Sequence, residues 1–368
     1  MMQLPLIENF RPLFLQDVPL LDVRAPVEFA DGSFPCASNL PLMNNDERRK
    51  IGIRYKEAGQ EAAIHLGNTL ATDEIKMQRI AAWKSFADQH PDGALYCFRG
   101  GMRSRIAQQW LFEHTGVTYP RIRGGYKALR RFLIDELEAS ANEIHPLVIG
   151  GRTGVGKTVL LRRMPNTLDL EEMAWHRGSA FGRHATAQPT AINFENALSI
   201  ALIKHRDRGN PPLIVEDESN NIGARHLPVN LFRRFRQSPL IILEATVEER
   251  VETIIQEYIV NDIEEYNDCF GPDDGFQKWA THALESMDRV KRRLGSEGHG
   301  KLRTALETAI CIQKKDGTTE AHRLWIRELL TSYYDPMYDY QMSKTWERVV
   351  FRGNAEEVEK YIRGYQKA

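Results

Sequence analysis

The sequence predicts an α/β chain of two domains, each built on a parallel sheet, the second closing in a helical C-terminal region. Three observations predict it. Short apolar runs alternate with helical stretches, the order that sets strands in parallel with helices across their faces. Ala94–Tyr96 reads as a buried strand and runs into a glycine loop, Cys97-Phe98-Arg99-Gly100-Gly101-Met102-Arg103-Ser104, with a helix from Ile106. Pro146-Leu147-Val148-Ile149-Gly150 is a second such strand. It runs into Gly151-Arg152-Thr153-Gly154-Val155-Gly156-Lys157-Thr158 and a helical Val159-Leu160-Leu161. Ligands of parallel sheets gather at the carboxyl ends of the strands, and both loops lie at such an end.

Charged residues make up 27% of the 368 and the hydrophobic set 42%, ordinary for a globular chain with material for more than one core. That length suggests two or three domains at roughly 150 residues each. A formal net charge of −1 provides no global field toward nucleic acid or anionic membrane, so such binding must rest on local patches. Cys36, Cys97, Cys269 and Cys311 lie far apart with no C-x-x-C pair. That excludes a zinc motif and a disulfide framework, and suits a reducing cytosol. The N-terminal residues lack the pattern of a signal peptide, and apolar runs such as Leu240-Ile241-Ile242-Leu243 are too short to span a bilayer. The expectation is a cytoplasmic protein with no membrane partner.

The first domain is expected over residues 1–140. A strand covers residues 18–23, Asp31-Gly32-Ser33-Phe34-Pro35 is turn chemistry, and helices are expected over residues 72–89, 104–114 and 126–139. In the Cys97 loop, Gly100 and Gly101 permit the positive φ that turns successive N–H groups onto one point. The following helix dipole, Arg99 and Arg103 add positive charge, and Ser104 closes the same loop. This favours the Cys97 thiolate and can hold an anion bonded to its sulfur. An inert buried cysteine would not be ringed by two arginines. Leu21-Asp22-Val23-Arg24-Ala25-Pro26-Val27-Glu28-Phe29, the Cys97 loop and Arg123-Gly124-Gly125-Tyr126-Lys127-Ala128-Leu129 follow the order of rhodanese domains, which this region resembles. It is therefore expected to be a rhodanese-like parallel sheet with helices. Two features depart from that family. Cys36 stands where a glycine is usual, and reads as a packing residue with a resolving thiol as the alternative. Cys97-x5-Arg103 has the length of the related phosphatase loops, a wider nest suited to a tetrahedral phosphate-like group. Asp22 and Arg24 are expected to pair with each other or cap backbone.

Residues 140–145 turn polar and are read as the boundary, with the second domain over residues 141–368. Gly151 to Thr158 is a full Walker A pattern in strand–loop–helix context, so a P-loop NTPase-like α/β domain is expected. Backbone around Gly151, Gly154 and Gly156 cradles phosphates, Lys157 meets the terminal ones, and the Thr158 hydroxyl can hold Mg²⁺. Leu213-Ile214-Val215-Glu216-Asp217-Glu218-Ser219 is an apolar strand ending in acids. Asp217 or Glu216 is the outer Mg²⁺ partner, and Thr158 with Asp217 is the expected metal set. The loop reads a polyphosphate rather than a base. Trp175-His176-Arg177-Gly178-Ser179-Ala180-Phe181-Gly182 is read as a lid, with Arg177 and Phe181 over phosphates and an apolar tail. Tyr334 and Tyr338 lie in a tyrosine-rich stretch; exposed they could stack unpaired RNA bases, buried they would close the helical region.

Further blocks widen the resemblance: Pro41-Leu42-Met43-Asn44-Asn45-Asp46-Glu47-Arg48, Arg177-Gly178-Ser179-Ala180-Phe181-Gly182, Glu216-Asp217-Glu218-Ser219, Tyr334-Asp335-Pro336-Met337-Tyr338 and Val349-Val350-Phe351-Arg352-Gly353. With the two loops they make essentially the whole chain similar to the tRNA 2-selenouridine synthase family. The resemblance implies a transferase that converts wobble 2-thiouridine to 2-selenouridine through S-geranyl-2-thiouridine. Its partners would be the anticodon arms of lysine, glutamate and glutamine tRNAs, with selenophosphate synthetase as a supplier. Its co-substrates would be selenophosphate and geranyl diphosphate, with Mg²⁺ and no tightly bound organic cofactor. It further implies that Cys97 carries selenium, Arg99 and Arg103 hold the anion, and Lys157 and Thr158 hold the diphosphate. Two other classes compete. A C-x5-R phosphatase would need a carboxylic acid over the leaving oxygen. A persulfide carrier joined to an ATP-dependent P-loop domain would turn over ATP without RNA.

Overall fold

Strands β1 (Leu6–Ile7), β2 (Leu20–Asp22), β3 (Ala37–Asn39), β4 (Ala94–Tyr96) and β5 (Arg121–Ile122) form one sheet in the order β1-β5-β4-β2-β3, parallel throughout, in a computed structural model that describes residues 4–365. Both faces of this sheet are covered, as a parallel sheet requires. Strand alternation sends Leu20, Ala94 and Tyr96 into a core with Phe14, Phe34 and Leu133. It sends Leu21, Leu95 and Cys97 into a second core with Trp83 and Leu111. The thiol therefore belongs to the face covered by the helices Asp73–Gln89 and Met102–Thr115.

This unit runs up to Ser140 and also takes in Thr190–Asp207, a helical segment from beyond the expected boundary. Its helix, Ala191–Asp207, buries Ile200 and Ile203 in the first core, and Asn196 Nδ2 donates to the Ser33 carbonyl at 2.7 Å. Asp22 and Arg24 pair with each other, buried, at 2.6 Å, and the guanidinium lies 3.9 Å from the Tyr126 ring centroid. Residues 45–70, for which no element was foreseen, are helical, with a break at Gly59 where φ is 77°. Asn44 caps that helix, accepting from the Glu47 N–H at 2.9 Å while Glu47 accepts from the Asn44 N–H at 2.8 Å.

The second unit comprises Ala141–Pro189 and continues from Arg208. Strands β6 (Pro146–Gly150), β7 (Thr167–Leu168), β8 (Leu213–Glu216), a short antiparallel pair β9 (Asn221–Ile222) and β10 (Arg225–His226), then β11 (Leu240–Leu243) and β12 (Val349–Gly353) build it. Its main sheet has the order β12-β11-β6-β8-β7 and is parallel. Leu147, Ile149, Ile214, Ile241 and Leu243 form one core with Val358 and Ile362. The helices Pro272–Arg289, Lys291–Asp316 and His322–Leu329 enclose another around Trp279, Met287, Leu306 and Trp325. Two π-helical turns, Gln256–Val260 and Leu330–Tyr334, interrupt this helical region; such turns are rare and concentrate at functional sites. No helix among the described residues is long and apolar enough to cross a membrane.

Candidate functional site

The thiol site begins where β4 ends. Gly100 takes a φ of 61°, and a Cβ there would meet the Gly124 nitrogen at 2.6 Å, so the loop lies directly on the Gly124-Gly125 turn. Backbone bonds from Tyr126 N–H to the Cys97 carbonyl (2.9 Å) and from Lys127 N–H to the Phe98 carbonyl (3.0 Å) lock it there. The side chain of Cys97 is 3% exposed, with Sγ 3.1 Å from the Ser104 hydroxyl, which itself donates to the Gly101 carbonyl at 3.2 Å. Cys97, Arg99, Gly101 and Arg103 line a cavity of about 850 Å³. Its walls are largely apolar, from Leu42, Ile51 and Ile64 to Ile106 and Trp110, and the helix Asn45–Leu70 supplies one side.

The two arginines differ. Arg99 is exposed and has no ion-pair partner among the described residues. The guanidinium of Arg103 is held by both oxygens of Glu28, at 2.6 and 3.0 Å, and Arg48 reaches the same carboxylate at 3.2 Å. Burial pushes the Glu28 carboxyl up, but Arg103 outweighs it and holds it below its ordinary value of 4.5. The pair's contribution to stability is therefore complete above about pH 4.5, and is lost as pH falls through the lower folded value. If Cys97 is the reacting group, Glu28→Gln should free Arg103 and lower the rate of its reaction on the order of 10²-fold. A reaction at the glycine loop of Lys157 should be unchanged in the same variant, and steady-state assays check both.

Cys36 packs against the core on the opposite sheet face from Cys97. Burial pushes its thiol up to about 11. It stays protonated near neutrality, which fits packing and not a resolving role.

In the second unit, β6 delivers the glycine loop to the helix Lys157–Leu161. Gly151 and Gly156 take positive φ, as does Gly154, where a Cβ would lie 2.9 Å from Ile254 and 3.0 Å from the Arg250 carbonyl. Arg250, 1% exposed, donates to the Thr153 carbonyl at 2.9 Å and pairs with both oxygens of Asp335 at 3.0 and 2.6 Å. Asp335→Ala would strand that charge and should cost about 3–5 kcal/mol, read by chemical denaturation of the full chain.

Three carboxylates converge beside the loop: ligand oxygens of Glu171, Glu216 and Glu218 lie within 4.8 Å of one another. The Thr158 hydroxyl donates to Glu216 at 2.7 Å and approaches Glu171 at 3.3 Å. Burial, then mutual repulsion, pushes Glu171 and Glu216 up to about 8; burial pushes Glu218 to about 7 although Lys157 opposes it. Burial works against the Lys157 ammonium, yet Glu218, Glu171 and Glu216 outweigh it and raise its pKa. Glu216 Oε2 is buried without a hydrogen-bond partner. A hard divalent cation would satisfy that oxygen and relieve the repulsion, so these oxygen donors fit Mg²⁺. Asp217, named for that role, instead pairs with Arg236 at 3.1 Å, leaving Glu216 to face Thr158.

The expected lid is a tight turn against these acids: a Cβ on Gly178 would lie 2.6 Å from Glu171 and 2.8 Å from Glu218. Arg177 is committed to Asp262 at 2.5 Å, and Phe181 is buried against Trp325. Tyr334 is buried and Tyr338 half-buried, their hydroxyls unpartnered, so neither ring is displayed for base stacking. Phe181, Tyr258, Trp279, Trp325 and Tyr334 line a narrow cavity of about 40 Å³ that reaches Thr153 of the loop. Sequence reasoning missed Glu171, Glu218 and Arg250 as site residues. Glu218 lay within a quoted motif, while nothing local marked the other two.

Fold and sites define an α/β protein with a P-loop-like glycine loop on one parallel sheet and a thiol-bearing glycine loop on another. The family described as "tRNA 2-selenouridine synthase AAA domain" matches residues 144–368. A Bordetella petrii protein named tRNA 2-selenouridine synthase is 48% identical over 355 residues, 96% of this chain and 95% of its own length. Proteins of the same name from Marinobacter nauticus (49% over 359 residues, 98% of each chain) and a Sulfurovum species (46% over 366 residues, 100% of each) are similarly related. The chain belongs to the tRNA 2-selenouridine synthase family.

Proposed function

We propose that this chain is a tRNA-modifying transferase that exchanges sulfur for selenium at the wobble 2-thiouridine through an S-geranylated intermediate. In this reading the first unit is a rhodanese-like domain where selenophosphate meets Cys97, and the second binds the diphosphate of geranyl diphosphate. The carrying observation is the 850 Å³ cavity at Cys97. A small anion alone would not need that much apolar wall, whereas a base bearing a geranyl thioether would occupy it. Arg99 and Arg103 then hold the phosphate-like anion, with Gly100, Gly101 and Ser104 shaping the nest.

At the P-loop, Lys157 and Thr158 meet the diphosphate, and Glu171, Glu216 and Glu218 would hold Mg²⁺, which when bound would neutralise the departing diphosphate. The aromatic cavity beside Thr153 offers a surface for the prenyl tail, whose entry requires those side chains to shift. Phosphatase chemistry on ordinary esters is disfavoured by a specific contact. Glu28, the sole carboxylate among the described residues lining the thiol cavity, is pinned by Arg103 and Arg48 and cannot donate a proton. Bulk tRNA from cells lacking and then regaining this protein, digested to nucleosides and weighed by mass spectrometry, tests the reading. Selenouridine and its geranylated precursor should vanish and return together. Unchanged nucleosides would reject it.

A further inference from the structure

We infer that Cys97 attacks the phosphorus of selenophosphate, not its selenium, becoming a phosphocysteine and releasing hydrogen selenide into the cavity. This rests on the function proposed above and assigns the nucleophile's target within it.

Electron balance argues first. Selenium in selenophosphate is already at the selenide level. Moving it onto the thiolate as a neutral atom would leave phosphorus reduced, as phosphite, and release as phosphate would need an oxidant that the reaction does not provide. Attack at phosphorus needs none. The Cys97 thiolate forms an S–P bond, the Se–P bond breaks with its electron pair on selenium, and HSe⁻ departs with the proton that selenophosphate carried. HSe⁻ then adds to C2 of the S-geranylated base, and the C–S pair leaves on geranylthiolate, giving C2=Se with the proton on the base. Water hydrolyses the phosphocysteine to phosphate, and the thiol is restored. Every step is redox-neutral.

The geometry agrees. Seven residues, from Cys97 through Arg103, have the length of a C-x5-R phosphate loop, and Arg103 is fixed at its end by two bonds to Glu28. Ser104, fully buried, sits 3.1 Å from Sγ. Its hydroxyl, turned to the Gly101 carbonyl while Cys97 is a thiol, can rotate to donate to the thiolate that leaves when the phosphocysteine is hydrolysed. Glu28 is ionised and occupied, so no lining carboxyl among the described residues is free to protonate an alkoxide. Selenide is a far weaker base than an alkoxide and needs none. The missing acid, which counts against an ordinary phosphatase, thus selects for this leaving group. The base that the released selenide must attack would occupy the same cavity.

The full chain is mixed with selenophosphate labelled either in phosphorus or in selenium, without RNA, quenched rapidly and digested. The peptide containing Cys97 should retain the phosphorus label, with an equivalent of selenide trapped from solution by an alkylating agent. Ser104→Ala should hydrolyse the adduct about tenfold or more slowly and accumulate it, an effect that loss of packing alone would not produce. Geranyl transfer by Ser104→Ala reports that the variant is folded. Selenium retained on Cys97 with phosphorus in solution overturns the inference and leaves the proposed function standing, as does selenated RNA formed with neither label ever on the protein. Selenophosphate left unconsumed even with geranylated RNA overturns both.

Discussion

Lys157→Ala is expected to leave 2-thiouridine unmodified while still selenating RNA that was geranylated beforehand. In the geranyl transfer proposed above, negative charge would build on the bridging oxygen of the departing diphosphate, and Lys157 would meet that charge. Removing comparable contacts costs about 10²–10³ in rate. The ammonium is held charged by Glu218, Glu171 and Glu216, so it is poised in its cationic form before ligand arrives. Its loss also leaves three carboxylates without their counter-charge, so their mutual repulsion rises and should deepen the defect. Reactions contain purified variant, geranyl diphosphate, selenophosphate and a thiolated anticodon stem-loop, with no nucleotide. Normal geranylation by Lys157→Ala, or a wild type inert until ATP is added, would reject the assignment of the second unit.

Much of this arrangement is legible along the chain because it is local. A strand running into a glycine loop and then a helix fixes both loops within a few residues, and Asp22 with Arg24 closes over a two-residue gap. What escaped is long-range or weakly patterned. The helix Asn45–Leu70 is so polar that no apolar stripe announces it, and only the reciprocal cap of Asn44 and Glu47 marks its start. Yet it forms a wall of the thiol cavity. Ala191–Asp207 reads as an ordinary helix, and nothing local says that Ile200 and Ile203 complete the core of the first unit. Glu171 comes from a five-residue helix, and reaches Thr158 only through the fold. At the end of β8 three acids stand in a row. Alternation at the strand end separates Glu216 from Asp217, but only the fold decides that Glu216 meets Thr158 while Asp217 meets Arg236. For Tyr334 and Tyr338 the sequence leaves base stacking and closure of the helical region both open, because composition cannot distinguish a displayed ring from a buried one.

Cys97→Ser should stall the reaction after its first step and accumulate S-geranyl-2-thiouridine, with selenation reduced by about 10⁴-fold or more, the scale on which a covalent nucleophile is missed. A serine hydroxyl fits the space of the thiol, and the bond network around it, from Ser104 to the Gly124-Gly125 turn, stays intact, so folding should survive. Alkylation should survive too, because the proposed function gives the Cys97 loop no part in displacing diphosphate. The other thiols supply the control. Cys36→Ala, Cys269→Ala and Cys311→Ala should keep selenation near wild type: Cys36 faces the other core, and Cys269 and Cys311 lie exposed. Nucleoside mass spectrometry on a time course with thiolated stem-loop, geranyl diphosphate and selenophosphate separates the outcomes. Geranylated product that builds without decaying places Cys97 in the second half-reaction. Loss of geranylation as well would mean that the two half-reactions share a site, whereas undiminished selenouridine would remove Cys97 from the chemistry altogether.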